Sequence, residues 1–317
     1  MKGRSMKMND IISVIVPAFN EEGNIAEFSR LFAEMMQKSA HKYELIFVDD
    51  GSTDGTYDRI IEEAQKHPHI KYKRHPYNIG LTEALQTGFS LSSGDIFVFY
   101  PADLQYLPED IPALVAPIYS GAELVTGWKQ GKYKKKLVSS IYNSLSRRIF
   151  RLKVHDLNSV KAFKADVIKD IFLRRDWHRY LVVLAVDKGH KIEEVKIPLY
   201  ERRWGKSKFS VWRIPIGVLD MIAVKAQLSL LKKPLIFFGL GGSIFFALGF
   251  LIGLVALYFR FILNEGFRPL LYLVMLLAGV GLGFFILGFL SEGLAALKEE
   301  LGAIRKKLDN IEQSLKK

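Results

Sequence analysis

Cysteine is absent from the 317 residues. Disulfides, thiolate metal sites and a cysteine nucleophile are therefore excluded. Charge is absent from two long stretches, residues 234–259 and 269–290. As helices these are roughly 39 and 33 Å long, enough to cross a ~30 Å hydrocarbon core with some tilt. A buried helical hairpin in a soluble protein is the bland alternative, but two uncharged runs of this length favour a membrane. A secretory leader is not expected either. The first apolar run, residues 11–19, contains Pro17 and meets Glu21 and Glu22 with no small-residue cleavage site.

Acidic residues are the scarcer charge: 33 against 45 Lys and Arg, a net charge of +12. Such an excess calls for an anionic partner, either nucleic acid, a phosphate-bearing substrate or acidic lipid. Nucleic acid is disfavoured, because the basic residues cluster beside the apolar stretches and no nucleic-acid motif accompanies them.

From residue 11 to about 124, short runs such as "IISVIVPAF", "YELIFVDD" and "DIFVFYP" alternate with helical patterns at 22–38, 55–66 and 81–92. Nearly continuous apolar strands alternating with helices predict an α/β fold with a mostly parallel sheet covered on both faces. Ligands bind such sheets at the carboxyl ends of the strands. Polar or special residues gather there, at 17–22, 49–54, 78–80 and 101–105.

Further along, "KQGKYKKK" and "SRRIFRLK" are basic, and residues 211–231 read as an amphipathic helix suited to a membrane surface. Lys225, Lys232, Lys233, Lys298, Arg305, Lys306 and Lys307 outweigh Arg260 and Arg268 in the connection. The positive-inside rule then places the large domain and the tail in the cytoplasm, with two spans in the cell membrane. Glycines at 249 and 253 and at 279, 281 and 283 suit close helix packing. Leu294, Leu297, Leu301, Ile304, Leu308, Ile311 and Leu315 recur by three and four, a coiled-coil pattern; a helix lying on the membrane or on the catalytic domain is the alternative. The expected division is a catalytic domain at 1–210, an interfacial helix at 211–233, a membrane hairpin at 234–290 and a coiled-coil tail at 291–317, with a homo-oligomer implied.

Five motifs follow in order: "VIVPAFNEEGNI", "VDDGSTDGT", "NIGLTEALQTGF", "GDIFVFYPADLQ" and "HRYLVVLA…ERRWGKSKFS". Together they resemble family 2 glycosyltransferases of the Rossmann-like GT-A fold, most closely the polyprenyl-phosphate group. The resemblance implies inverting transfer of a sugar from a UDP- or GDP-linked donor to a membrane polyprenyl phosphate, dolichyl or undecaprenyl. A processive polysaccharide synthase usually has a Gln-x-x-Arg-Trp segment and more spans, whereas "RRDWHRY" lacks the glutamine. A silent scaffold that binds nucleotide-sugar or lipid phosphate is the other alternative.

The resemblance assigns Pro17, Ala18, Phe19, Glu21, Asp49 and Asp50 to the nucleoside pocket. A turn and helix cap also explains Asp50. Asn78 and Gly80 match the pocket edge, although Asn78 suits a helix start equally. Lys129 matches a basic residue at a strand end, with Lys136, Ser140 and Asn143 as candidate acceptor-phosphate ligands and Arg147 one turn further. Arg203, Lys206, Ser207 and Lys208 resemble a loop that closes over the diphosphate. Asp156 and His178 also lie in family-like segments, "VHDLNSVKAF" and the His-Arg pair, without an assignable role. In the family a turn with two aspartates one residue apart holds Mg²⁺ or Mn²⁺. Here Pro101 replaces the first, leaving Asp103 with Gln105. Read as an extended segment, alternation would put both side chains on one side. A hard cation can be held by one or two carboxylates plus substrate phosphate, so Asp103 and Gln105 are the expected metal ligands.

Overall fold

The computed structural model describes residues 10–131, 136–169, 171, 173–202, 204, 213–230, 233–266 and 268–315. The chain divides into two compact units, Met1–Val211 and Trp212–Lys317.

The first unit alternates β1 (Ile11–Ala18), α1 (Glu22–Lys38), β2 (Lys42–Asp49), α2 (Thr56–Lys66), β3 (Ile70–Arg74), α3 (Leu81–Leu91), β4 (Ile96–Phe99) and α4 (Ile111–Tyr119). It continues with β5 (Leu124–Gln130), α5 (Lys136–Phe150), β6 (Lys161–Lys164), α6 (Ala165–Lys169), α7 (Leu181–Asp187) and β7 (Ile192–Pro198). The seven strands form one sheet in the order β3-β2-β1-β4-β6-β5-β7. Four of its pairings are parallel; those of β6 with β4 and β5 are antiparallel.

Strand position follows composition. β1 and β2 are apolar on both faces and lie inside the sheet, with Val14, Ile15, Leu45 and Ile46 fully buried. β3, "IKYKR", is mostly exposed and forms one edge, and β7, "IEEVKIP", forms the other and stops at Pro198. Charge and proline suit edges, where half the ladder is unpaired. One face carries α1 and α4 through Phe28, Phe32, Ile111 and Leu114. Phe28 meets Phe47 and Tyr100 edge-on, at 5.9 and 6.3 Å between centroids. Crossovers of this kind bring the ends of β1, β2 and β4 to one side of the sheet, with the β1–β2 pair in register from Ile11↔Lys42 to Ala18↔Asp49.

The second unit holds α8 (Arg213–Leu230), α9 (Pro234–Phe261) and α10 (Arg268–Leu315). α9 and α10 are long and apolar enough to cross a membrane. Only 11% and 6% of their most apolar stretches are buried, unlike the core helices of the buried-hairpin alternative. Phe237, Phe250, Leu276 and Phe289 stand exposed, as lipid-facing side chains would. The two helices pack antiparallel. A Cβ on Gly242 would lie 2.9 Å from the Gly281 carbonyl, and one on Gly249 3.3 Å from Leu277. Of the predicted small-residue positions, Gly249 and Gly281 meet the facing helix closely, whereas a Cβ on Gly279 or Gly283 would meet nothing within 4 Å. The α9 N-terminus is capped from across the pair: Leu235 N donates to Glu292 Oε2 at 3.1 Å, which places a carboxylate at the positive helix end.

Candidate active site

Three loops at the carboxyl ends of β1, β2 and β3 are bonded into one floor. Asn20, in left-handed backbone (φ 55°) that asparagine tolerates, accepts from Thr53 N through Oδ1 at 2.9 Å and donates its own N–H to Ser52 Oγ at 2.9 Å. Glu21 N donates to Thr56 Oγ1, and Gly55 N donates to Glu22 Oε2. Gly51 sits at φ 72°, and a Cβ there would lie 2.3 Å from the Tyr77 carbonyl carbon. Only glycine allows so close an approach.

Asp49 and Asp50 are both buried. Asp49 Oδ1 accepts from Ser52 N at 3.1 Å, and Oδ2 stands 3.1 Å from Arg74 Nε, within ion-pair range but outside hydrogen-bond alignment. Asp50 accepts from Ile79 N and Gly80 N, each at 3.0 Å, and meets His75 Nδ1 at 2.8 Å. The ring of His75 continues to Thr87 Oγ1 at 2.9 Å. Asp50 thus ties down the loop that leads into α3, and the N-cap of α2, the helix that follows its own turn, is Gly55, with no side-chain cap bond. Asn78 is exposed, and Gly80 rather than Asn78 is the residue capping α3.

The fourth loop follows β4. Asp103 is buried, and its Oδ1 accepts from Gln105 N at 3.2 Å. Leu104 between them takes φ 54° and buries its side chain. The segment is therefore a tight turn, and the alternation expected of an extended strand does not hold here. Asp103 Oδ2 accepts from Arg202 at 2.5 Å, and the same guanidinium lies 3.7 Å from Glu21 Oε1. Burial pushes the Asp103 pKa up, opposed chiefly by Arg202 and then by the Gln105 N–H. Tyr200 N donates to the Gln105 carbonyl at 2.9 Å, and the Trp204 ring lies so close over Gly23 that a Cβ there would approach to 2.6 Å. The chain after β7 thus crosses from the β4 turn towards the start of α1.

At the end of β5, Lys129 Nζ donates to the Asn158 carbonyl at 2.9 Å and stands 3.4 Å from Asp156 Oδ2. Asp156 Oδ1 accepts from Asn158 N at 3.0 Å and from Asn143 Nδ2 at 3.4 Å. Asn143 is thereby brought into the same cluster as Asp156 and Lys129. Lys161 lies beneath, fully enclosed, and donates to the Ser159 carbonyl at 2.7 Å. Burial brings its pKa down to about 7; Asp156 opposes this and Lys129 adds to it. Ser159 Oγ reaches Tyr106 Oη at 3.0 Å, which links this loop to the β4 turn. His178 Nδ1 contacts Thr82 Oγ1 at 2.9 Å, against the first turn of α3.

Asp49, Asp50, Glu21, Asp103, Gln105 and Lys129 all fall at the same end of the sheet. Arg203, Lys206, Ser207 and Lys208 lie outside the described residues, as do the side chains of Lys136 and Ser140. Among the described residues no group of three His, Asp or Glu could hold a metal.

Sequence reasoning missed Arg202 and Lys161. Arg202 was readable as the first arginine in "ERRWGKSK". Lys161 has no such signal, because "VKAFK" reads as a half-exposed segment until β6 is known to lie inside the sheet.

A family model described as glycosyl transferase family 2 matches residues 13–175. Dodecaprenyl-phosphate galacturonate synthase of Rhizobium johnstonii is 32% identical over 302 residues, covering 90% of this chain and 87% of that protein. Among solved structures, glucosyl-3-phosphoglycerate synthase of Mycobacterium tuberculosis with Mn²⁺ and UDP-glucose superposes with a TM-score of 0.56. It is 22% identical over 68% of this chain and 79% of that one. The same enzyme with Mn²⁺, UDP and glucosyl-3-phosphoglycerate gives 0.54 at 23% identity, covering 69% and 80%. These two likenesses support the GT-A type of mixed sheet.

Proposed function

The chain belongs to glycosyl transferase family 2, and we propose that it transfers a sugar from a nucleoside diphosphate sugar to the phosphate of a membrane polyprenol. The observation that carries this reading is the alignment with the galacturonate synthase, which spans nine-tenths of the chain and so takes in apolar helices as well as the catalytic sheet.

A phosphate oxygen of the lipid attacks the anomeric carbon as the bond to the nucleoside diphosphate breaks, inverting that centre. The attacking oxygen is already anionic near neutral pH, so no general base is required. The demand is instead to align two mutually repelling phosphates and to neutralise the departing diphosphate. Lys129, braced by Asp156 and the Asn158 carbonyl, offers a fixed cation for one of them. Arg203, Lys206, Ser207 and Lys208 are proposed to close over the other.

The β4 turn fits a divalent cation, Mg²⁺ or Mn²⁺, by its donor set. Asp103 would supply a hard oxygen, and its buried carboxylate already accommodates a positive group in Arg202, whereas Gln105 remains a candidate through the resemblance alone. When bound, such an ion would supply charge neutralisation at the diphosphate. With Pro101 in place of a second carboxylate, Asp103 is the one acidic side chain of this turn that would hold the ion, and it would have to exchange its bond with Arg202 to do so. Asp49, Asp50 and Glu21 hold the loops against which the nucleoside rests, with residues 17–19 beside it. The excess of Lys and Arg flanking the two apolar helices over their connection supports a cytoplasmic catalytic unit by the positive-inside rule.

A catalytically silent nucleotide-sugar binder is the second reading, favoured by Pro101 and by the Arg202 contact on Asp103. The deciding experiment mixes purified full-length protein with polyprenyl phosphate and a panel of labelled UDP- and GDP-sugars. A lipid-linked monophosphate sugar is expected for one donor. Tight nucleotide binding with no lipid product from any donor would leave the silent reading standing.

A further inference from the structure

Past the second apolar stretch, α10 continues without a break to Leu315, and proline occurs in it only at Pro269, in its first turn. Breaks and sharp kinks in helices need a proline, a bulge or an inserted group. The tail therefore extends along the axis of the span, about 37 Å beyond Leu290 at 1.5 Å per residue. A helix lying on the bilayer surface would have to turn away from that axis, which disfavours the membrane as the partner of its apolar stripe.

That stripe is regular. Leu294, Leu301 and Leu308 recur every seven residues, with Leu297, Ile304 and Ile311 three residues after each. All six are 53–66% exposed. Leu287 and Leu290 keep the same phase inside the span. In heptad terms the a positions are all leucine, and the last two d positions are isoleucine. Leucine at a with isoleucine at d shifts packing from two strands to three or four. The flanking register is complementary as well. Glu300 and Lys307 occupy g, whereas Arg305 and Glu312 occupy the e positions five residues further on. In a parallel bundle each g faces the next e of its neighbour, which sets Glu300 against Arg305 and Lys307 against Glu312, opposite charges both times.

We propose that residues 287–315 are a self-association seam, on which three or four copies of this chain pack as a parallel, in-register coiled coil. Parallel alignment rests on the reading of α9 and α10 as membrane spans, because insertion gives every copy the same direction. The assembly itself does not depend on which sugar is transferred.

The absence of cysteine makes the test clean. In an in-register bundle, identical a residues face one another across the seam. Leu301→Cys in native membranes should form disulfide-linked pairs on oxidation, and Ala303→Cys, on the outward c position, should not. The native protein in detergent should have the mass of three or four chains, falling to one in Leu301→Glu/Leu308→Glu. These side chains are exposed in the single chain, so the double change leaves its own folding intact. A native mass of one or two chains, equal cross-linking from Ala303→Cys, or an unchanged mass in the double variant would overturn the proposal.

Discussion

Asp50 and Asp103 are the same residue type, 4% and 8% exposed, at the ends of neighbouring loops, yet their surroundings differ in kind. Asp50 is bonded by two backbone N–H groups and a histidine, all from the segment that leads into α3. Those donors cannot leave without unmaking the loop. The strongest partner of Asp103 is a side chain 99 residues away, on the chain that follows β7. A guanidinium on a long stem can be exchanged for another cation at the cost of one side-chain movement. Burial and charge alone do not separate a structural carboxylate from a working one. On the proposed reading the kind of partner separates them: backbone N–H groups and a histidine hold Asp50, a single long side chain holds Asp103.

The widest separation between the two should come from Asp103→Asn. The change keeps size and removes charge, and loss of one preorganised electrostatic contact typically costs about 10²–10³ in rate. Transfer should fall by that amount while circular dichroism and the melting temperature stay close to native. Metal titration with and without chelator completes the measurement. Full activity in chelator would remove the cation, and full activity in the variant would remove Asp103 from the reaction.

Asp50→Asn should do the reverse. An amide cannot accept from three directions, and its NH₂ would face a backbone N–H. Leaving such buried donors unpaired costs about 1–3 kcal/mol. The expected outcome is a lowered melting temperature, with residual activity proportional to the folded fraction. A native melting temperature combined with lost nucleotide binding would show Asp50 to be a ligand contact, and the comparison would fail.

Lys129 lies between these cases, since its ammonium has internal acceptors and also sits at a strand end. Lys129→Ala is expected to lower kcat/KM for polyprenyl phosphate by about 10- to 30-fold, within the 1.4 kcal/mol per tenfold scale of a single weakened charge contact. The effect should fall on the lipid's KM rather than on the nucleotide's. Normal turnover at limiting lipid phosphate would take Lys129 out of the site.

The sheet and the two long apolar helices were legible because each is a local pattern. β1 and β2 are apolar on both faces and could only lie inside a sheet. Residues 234–259 lack charge over a length that could cross a membrane, and they lie in α9. β6 was not legible as an antiparallel strand, because four residues, "KAFK", carry too little periodicity and their pairing with β4 and β5 is set by topology. For the same reason Lys161 passed unnoticed. The extended reading of residues 103–105 failed at Leu104, whose left-handed backbone is paid for by the burial of its side chain, a tertiary effect. Arg202 was not singled out beside Arg203, which lies outside the described residues, because the contact of Arg202 with Asp103 depends on how the chain after Pro198 crosses the β4 turn.

Arg202 gives the smallest and most specific separation. It neutralises Asp103 from 2.5 Å and reaches Glu21 at 3.7 Å, so a cation arriving at the turn must displace a positive charge already there. Competition of this kind weakens metal binding to the empty protein. It should matter less once a diphosphate is present, whose oxygens both attract the metal and offer the released guanidinium a new partner. Arg202→Gln should therefore tighten Mn²⁺ binding in the absence of nucleotide by about tenfold, or about 1.4 kcal/mol, with a smaller gain when UDP or GDP is added. Free Mn²⁺ measured by electron paramagnetic resonance reads this without any turnover. Asp103→Asn provides the control, since it should lose the metal whether or not Arg202 is present. Unchanged or weaker Mn²⁺ binding in Arg202→Gln would mean that Arg202 supports the turn instead of competing for it, and that Asp103 is held as firmly as Asp50.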